Sequence, residues 1–194
     1  IGHVDVVDDA QARPCDAAPG GLWPDDAGRR RDVATVDLVR RTAPSTTATA
    51  GVGAAPATLV LLVGDHVHDP GLRAALRTAQ TPHLAARVRE VTGVVGPLVL
   101  PGSTPCLDCL DLHRRDRDAD WPLLAAQLAS PGVGAVPCDT ALALAVAGCA
   151  ALQVLAHVDG EPSGAQAGTL ELTPPDHRWR RRSWSLHPGC GCVA

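Results

Sequence analysis

The sequence predicts an α/β fold with a largely parallel sheet, flanking helices and antiparallel strands toward its C-terminus. Three observations carry that expectation. Strand-like and helix-like runs alternate through position 100, as crossover helices between parallel strands require. Residues 58–65 form a short, continuous apolar run closing on Asp65, the pattern of a strand buried on both faces. Two tight cysteine pairs, Cys106/Cys109 and Cys190/Cys192, lie in loops far apart in the chain and would clamp its middle to its end.

Residues 3–7 alternate and end in Asp8-Asp9, so a strand delivers carboxylates to its C-terminal edge. In open α/β sheets ligands bind at that edge, and an acid there commonly takes a ribose hydroxyl; the plainer reading of Asp8 is a polar strand end facing water. Residues 13–21 are a loop by their Pro and Gly content. A helix is expected over 25–41, with Val33, Val36, Leu38 and Val39 on its apolar side and Arg29, Arg30 and Arg31 in its first turns. Three adjacent arginines cannot share one helix face, so one or two at most could meet a ligand. Residues 44–57 read as a small-residue connection, 58–65 as the buried strand, and 70–79 as a short crossover helix. Strands are expected over 81–88 and 91–100, the second bending at Gly93 and Gly96, and short helices over 110–117 and 121–129. Residues 139–157 are almost all Ala, Leu and Val, which predicts a five-turn helix buried in a core or at a subunit contact. Strands over 168–172 and 177–186 close the chain before the second cysteine pair.

The 194 residues suffice for one sizeable core, and a single domain over 1–194 is expected. Phe, Tyr, Met, Lys and Asn are absent, so the core must be built from Leu, Val and Ala. The formal net charge of -4 argues against nucleic-acid binding, which wants a clustered positive surface. The basic run from Arg178 to Arg182 is broken by Trp179 and suits a solvated strand. The long helix is too alanine-rich, and too interrupted by Gln153, to be read as a membrane span. The chain begins at Ile1 with what looks like the middle of a fold, so an N-terminally incomplete domain is expected.

The chemistry concentrates in the cysteines. A C-x-x-C turn places two sulfurs at two corners of a metal tetrahedron, and Cys190-Gly191-Cys192 can supply the other two. Four thiolates around zinc leave no open position, so such a site stabilises and does not catalyse. The alternatives are disulfides or unlinked thiols. Single histidines His66, His68 and His113 lack partners at ligand spacing. Cys138, just before the long helix, is a weak candidate nucleophile, with a helix-start residue as the plainer reading.

A strand ending in an acid, an arginine-marked helix start, a second strand ending in Asp65, a Gly-rich strand into C-x-x-C, an alanine-rich long helix and a terminal cysteine pair occur here in that order. Together they resemble the ThiF/HesA/MoeB family, bacterial relatives of ubiquitin-activating enzymes. The resemblance implies a Rossmann-like fold that binds Mg-ATP and adenylates the C-terminal carboxylate of a small carrier protein or peptide. It implies that Asp8 contacts the nucleotide, that Arg31 stands where the family carries a phosphate-binding lysine, and that Asp65 lies near magnesium and the phosphates. Cys106, Cys109, Cys190 and Cys192 fall on the family's zinc ligands. A cytoplasmic setting and a homodimer fit the same family. Some positions depart from its pattern: Ala10 replaces the second acid of D-x-D, Cys15-Asp16 replaces Ser-Asn, and Pro19-Gly20 replaces Arg-Gln. These departures match the alternative, a degenerate ThiF-like module that binds a leader peptide in the biosynthesis of azole-containing peptides.

Overall fold

The computed structural model describes residues 1–89, 91–129 and 138–193. The chain divides into two compact units, Ile1–Pro56 and Ala57–Ala194. In the first, strand β1 (His3–Val6) and strand β2 (Thr47–Ala50) pair in parallel around helix α1 (Arg31–Thr42). Parallel neighbours need a crossover of a dozen or more residues, and α1 supplies it. The helix starts at Arg31 instead of residue 25, because Pro24–Asp26 forms a separate 3-10 turn and Arg29 and Arg30 stay outside the helix. Ala34 and Val36 of α1 are buried. Strand β2 was hidden in the small-residue connection: its Thr-Ala-Thr-Ala has no apolar alternation to betray it.

The second unit holds a five-stranded sheet in the order β3 (Val60–Val63), β4 (His83–Arg89), β5 (Thr92–Val99), β6 (Gly168–Thr173), β7 (Arg178–Ser183). Only β3 and β4 run parallel, linked through helix α2 (Pro70–Thr78); the β4–β5, β5–β6 and β6–β7 ladders are antiparallel. The expected largely parallel sheet is therefore corrected to a mixed one. The reason is length: two residues separate β4 from β5, and so short a link makes only an antiparallel hairpin. Strand β3 is not buried on both faces either. It ends the sheet, and Leu61 and Val63 are 42% and 57% exposed while Leu62 is buried.

Period-two alternation divides the sheet's apolar residues between two layers. On one face Leu84, Ala86, Val95 and Leu172 pack against Leu142, Val146 and Ala150, spaced one turn apart on helix α5 (Thr140–Val158). On the other face Leu62 and Ala85 meet Val67, Leu76 and Leu107. The long helix is thus apolar all round but covered on one side only: Leu144, Leu152, Leu155 and Val158 are exposed. By length and composition α5 is able to cross a membrane, and here it packs on β4 and β5. Strand β5 bends where expected. At Gly93 a Cβ would lie 2.4 Å from Val146 Cγ2; Gly96 has φ +104°, and a Cβ there would come within 2.5 Å of the Gly168 carbonyl. Beside Gly96 the ladder to β4 carries one extra residue on β5, a bulge.

Candidate functional site

The loop after β5 delivers the first cysteine pair. Thr104, buried, accepts the Leu100 backbone N–H through its hydroxyl at 2.8 Å and so fixes the turn that ends at Cys106. Helix α3 (Leu107–Arg115) then starts with Cys106 as its N-cap, which places Cys109 one turn in and on the same side. The chain's last turn, Gly191–Val193, brings Cys190 and Cys192 to meet them. All four sulfurs lie within 4.8 Å of one another: Cys106 to Cys109 is 3.9 Å, Cys106 to Cys190 3.6 Å and Cys109 to Cys192 3.4 Å. A tetrahedral ion about 2.3 Å from each thiolate would space the sulfurs roughly 3.8 Å apart, so this set fits one metal ion. All four are free thiols in the structure, not disulfides.

The protonation chemistry is consistent with that fit. Burial first, then its sulfur neighbours, push the Cys106 thiol up to about 12, and burial likewise pushes Cys190 and Cys192 up to about 11. Burial would raise Cys109 as well, but the His187 backbone N–H, donated to its sulfur at 3.4 Å, helps hold its pKa below the usual thiol value. Four such sulfurs cannot all ionise in one partly buried cluster unless a cation compensates them.

Residues that sequence reasoning missed brace this centre. His187, 7% exposed, donates from Nε2 to Asp116 at 2.8 Å and accepts the Gly189 N–H at Nδ1, which defines its tautomer. The hydrogen bond from His187 draws the Asp116 carboxyl below its usual range against the pull of burial. A long-range bond within the chain thus anchors the His-Pro-Gly turn before Cys190 to the end of α3. The only sequence signal was the position of His187 beside that turn. His113, packed edge-on against His187 with ring centroids 4.8 Å apart, hydrogen-bonds the Ser185 carbonyl.

In the first unit Asp8 and Arg31 are brought together, but with each other. Arg31 Nε lies 2.9 Å from Asp8 Oδ2, Nη2 donates to Oδ1 at 3.1 Å, and Nη1 is 3.6 Å from Asp16. Burial works against the Arg31 charge, yet Asp8 and Asp16 outweigh it and hold its pKa above the ordinary value. Its neighbours are also spoken for: Arg29 pairs with Asp26 and Asp37, and Arg30 with the buried Asp32. Asp65 sits in the second unit, on the 3-10 turn Gly64–His68 that follows β3. Cys138 is exposed and precedes Asp139, whose carboxylate caps α5 by accepting the Leu142 N–H at 2.8 Å. The helix start is thereby occupied by the acid, not by the cysteine.

No protein-family model matches the sequence, and comparison with curated proteins finds no match. Solved structures do match in fold. E. coli MccB, solved with AMPCPP and MccA, superposes with TM-score 0.77 at 15% identity, covering all of this chain and 60% of MccB. The microcin C7 biosynthetic enzyme MccB in complex with N-formylated MccA gives 0.73 at 15% identity, with the same coverage. PaaA gives 0.69 at 16% identity over 94% of this chain and 65% of its own. The chain thus spans about 60% of the length of the MccB structures it matches. The fold is of the kind seen in these proteins.

Proposed function

We propose that the chain is part of a ThiF-type, ATP-dependent adenylyltransferase, of the ubiquitin-like modifier activating type, that acts on the C-terminal carboxylate of a protein or peptide. The observation that carries this reading is the likeness, over the whole chain, to MccB structures solved with AMPCPP, with ATP and with MccA. That whole-chain match also supports treating residues 1–194 as one ThiF-like domain. In the proposed reaction a carboxylate oxygen attacks the α-phosphorus of ATP, the bond to pyrophosphate breaks, and an acyl adenylate forms. Such chemistry needs positioning and compensation of phosphate charge more than covalent help. Asp8 would hold the ribose, Arg31 the phosphates, and Asp65 the magnesium. Zinc on Cys106, Cys109, Cys190 and Cys192 would be structural. The setting would be the cytoplasm, whose reducing conditions keep the four thiols open to metal, and the molecule would be a homodimer.

One observation favours a second reading, a degenerate module that binds a leader peptide without turning over ATP. Arg31, the residue assigned to phosphate, is already neutralised by Asp8 and Asp16. Calorimetric titration of Mg-ATP into the full-length protein separates the two. The adenylyltransferase reading expects binding that weakens at least about tenfold in Asp65→Ala, the loss of one metal-directed carboxylate. Absence of binding in folded, metal-loaded protein, or unchanged affinity in the variant, would turn the assignment to the peptide module. That module must in turn bind a leader peptide with no nucleotide present.

A further inference from the structure

Between the 3-10 turn Gly64–His68, helices α2 and α3 and strands β4 to β6 lies a small pocket, partly open to solvent, with no cysteine in its lining. Its polar lining is His68, Arg73, Arg87, Asp111, Arg114 and Thr169. Three guanidiniums and one carboxylate make an unusual wall, because charges withdrawn from water are normally paired.

The pairing is incomplete. Arg87 has no carboxylate within ion-pair distance among the described residues; its Nη1 meets only His68 Nε2, at 2.7 Å. Burial, and then Arg87 itself, push the His68 pKa down to about 4, so at neutral pH His68 is an uncharged acceptor and compensates nothing. Arg114 donates to Asp111 at 3.0 Å and stacks on Trp121. Arg73 reaches the same Asp111 at 2.8 Å and Asp108 at 2.7 Å, while its buried Nε has no hydrogen-bond partner. Asp108 is itself shared with Arg77, at 2.6 Å. Three arginines thus divide two carboxylates, and among the described residues Arg87 has none. Burial first, then the nearby charges of Arg114 and Arg89, bring Arg87 down to about 10, which agrees with an uncompensated positive field.

We propose that this pocket is a binding site for a single oxyanion group, a carboxylate or a phosphate, held by Arg87 with support from Arg73 and Arg114. A planar guanidinium matches such a group with two parallel N–H donors, and the ligand's charge supplies what Asp111 cannot. Thr169 is already engaged with Glu171 and Trp184 and adds shape instead of charge. The site does not depend on the adenylation reading.

Thermal melts of the metal-loaded full chain test it, with inorganic phosphate or acetate exchanged for chloride at constant ionic strength. The expected result is a saturable rise in Tm with at least one of the two anions, as ligand binding to the folded state requires. Saturation with phosphate alone identifies a phosphate site, and with acetate alone a carboxylate site. Arg87→Met should abolish the saturable rise. Without added anion its Tm should be no lower than that of the parent, because the variant removes a buried cation that lacks a counter-charge. Should Arg87→Met fail to fold, Arg87→Lys keeps the charge and loses the fork, and its anion affinity should fall at least about tenfold. A parent indifferent to both anions, or a variant that responds as the parent does, overturns the proposal.

Discussion

The cysteine centre and the Asp8–Arg31 cluster are both collections of charged or ionisable side chains, but they are in opposite states. At the cysteines, four ionisable sulfurs converge within 4.8 Å of one another. At Asp8 and Arg31 each charge has found its opposite, and Asp16 adds a second acid. A set of like sulfurs held together is able to take up a metal ion, because a cation compensates the thiolates. A set of mutually paired groups points nowhere outside itself, and any ligand must first compete with the pair. The difference separates a centre whose geometry fits a metal ion from one whose partner must be inferred from kinship.

The sharpest way to break this comparison is at the metal. Cys106→Ser should reduce bound zinc from about one ion per chain to near zero by elemental analysis, and lower Tm by roughly 10 °C or more, since structural metal binding is folding free energy. A metal-free parent protein of unchanged Tm would refute the site. The pH response sharpens the contrast. In metal-free protein the thiols of Cys106, Cys190 and Cys192 titrate at about 11 to 12 against 9.0 for an ordinary thiol. Raised folded-state values mean that the folded chain holds protons which the unfolded chain gives up. This stabilisation is complete below pH 9 and disappears as the pH climbs toward 11 or 12. Metal-free protein should therefore lose Tm over that window, whereas metal binding, which releases thiol protons, should strengthen with pH as far as the alkaline limit of metal solubility.

The bracing of the centre gives the next largest effect. His187→Ala removes the bond to Asp116 but none of the four sulfurs, so the ion should stay but leave sooner. Affinity in a chelator competition should drop about tenfold to a hundredfold, the usual cost of losing a residue that orients metal ligands. Retention equal to that of the parent would show that the terminal turn holds its shape without the histidine.

What the sequence disclosed tracks the range of the interaction. The cysteine pairs were legible because the geometry of C-x-x-C is local, and α2 and α5 because apolar or capped helices announce themselves within a few residues. The bond from Asp116 to His187 spans 71 positions, and no local pattern marks it. Sheet direction failed for a related reason: alternation of strands and helices was extended across β4 and β5, where two residues leave no room for a helix. The sharing of Asp111 by Arg73 and Arg114 was invisible too, since it arises only when α2 and α3 come side by side.

The smallest effect tests the other half of the comparison. Arg31 and Asp8 are each about one-third exposed, and an ion pair so placed is worth roughly 1 kcal/mol or less once solvent screening is allowed for. Arg31→Ala should therefore shift the denaturant midpoint only slightly, by a stability change of about 0.5 kcal/mol. If the cluster exists to meet a nucleotide, the same variant should nonetheless weaken Mg-ATP binding by about tenfold or more, as loss of a phosphate contact does. The two measurements read different things, and their disagreement is informative. A small stability change with a large affinity change means that Asp8 holds Arg31 ready and yields it to phosphate. A small change in both would mean that the pair is surface chemistry alone, and that charge satisfaction within the first unit has replaced nucleotide recognition.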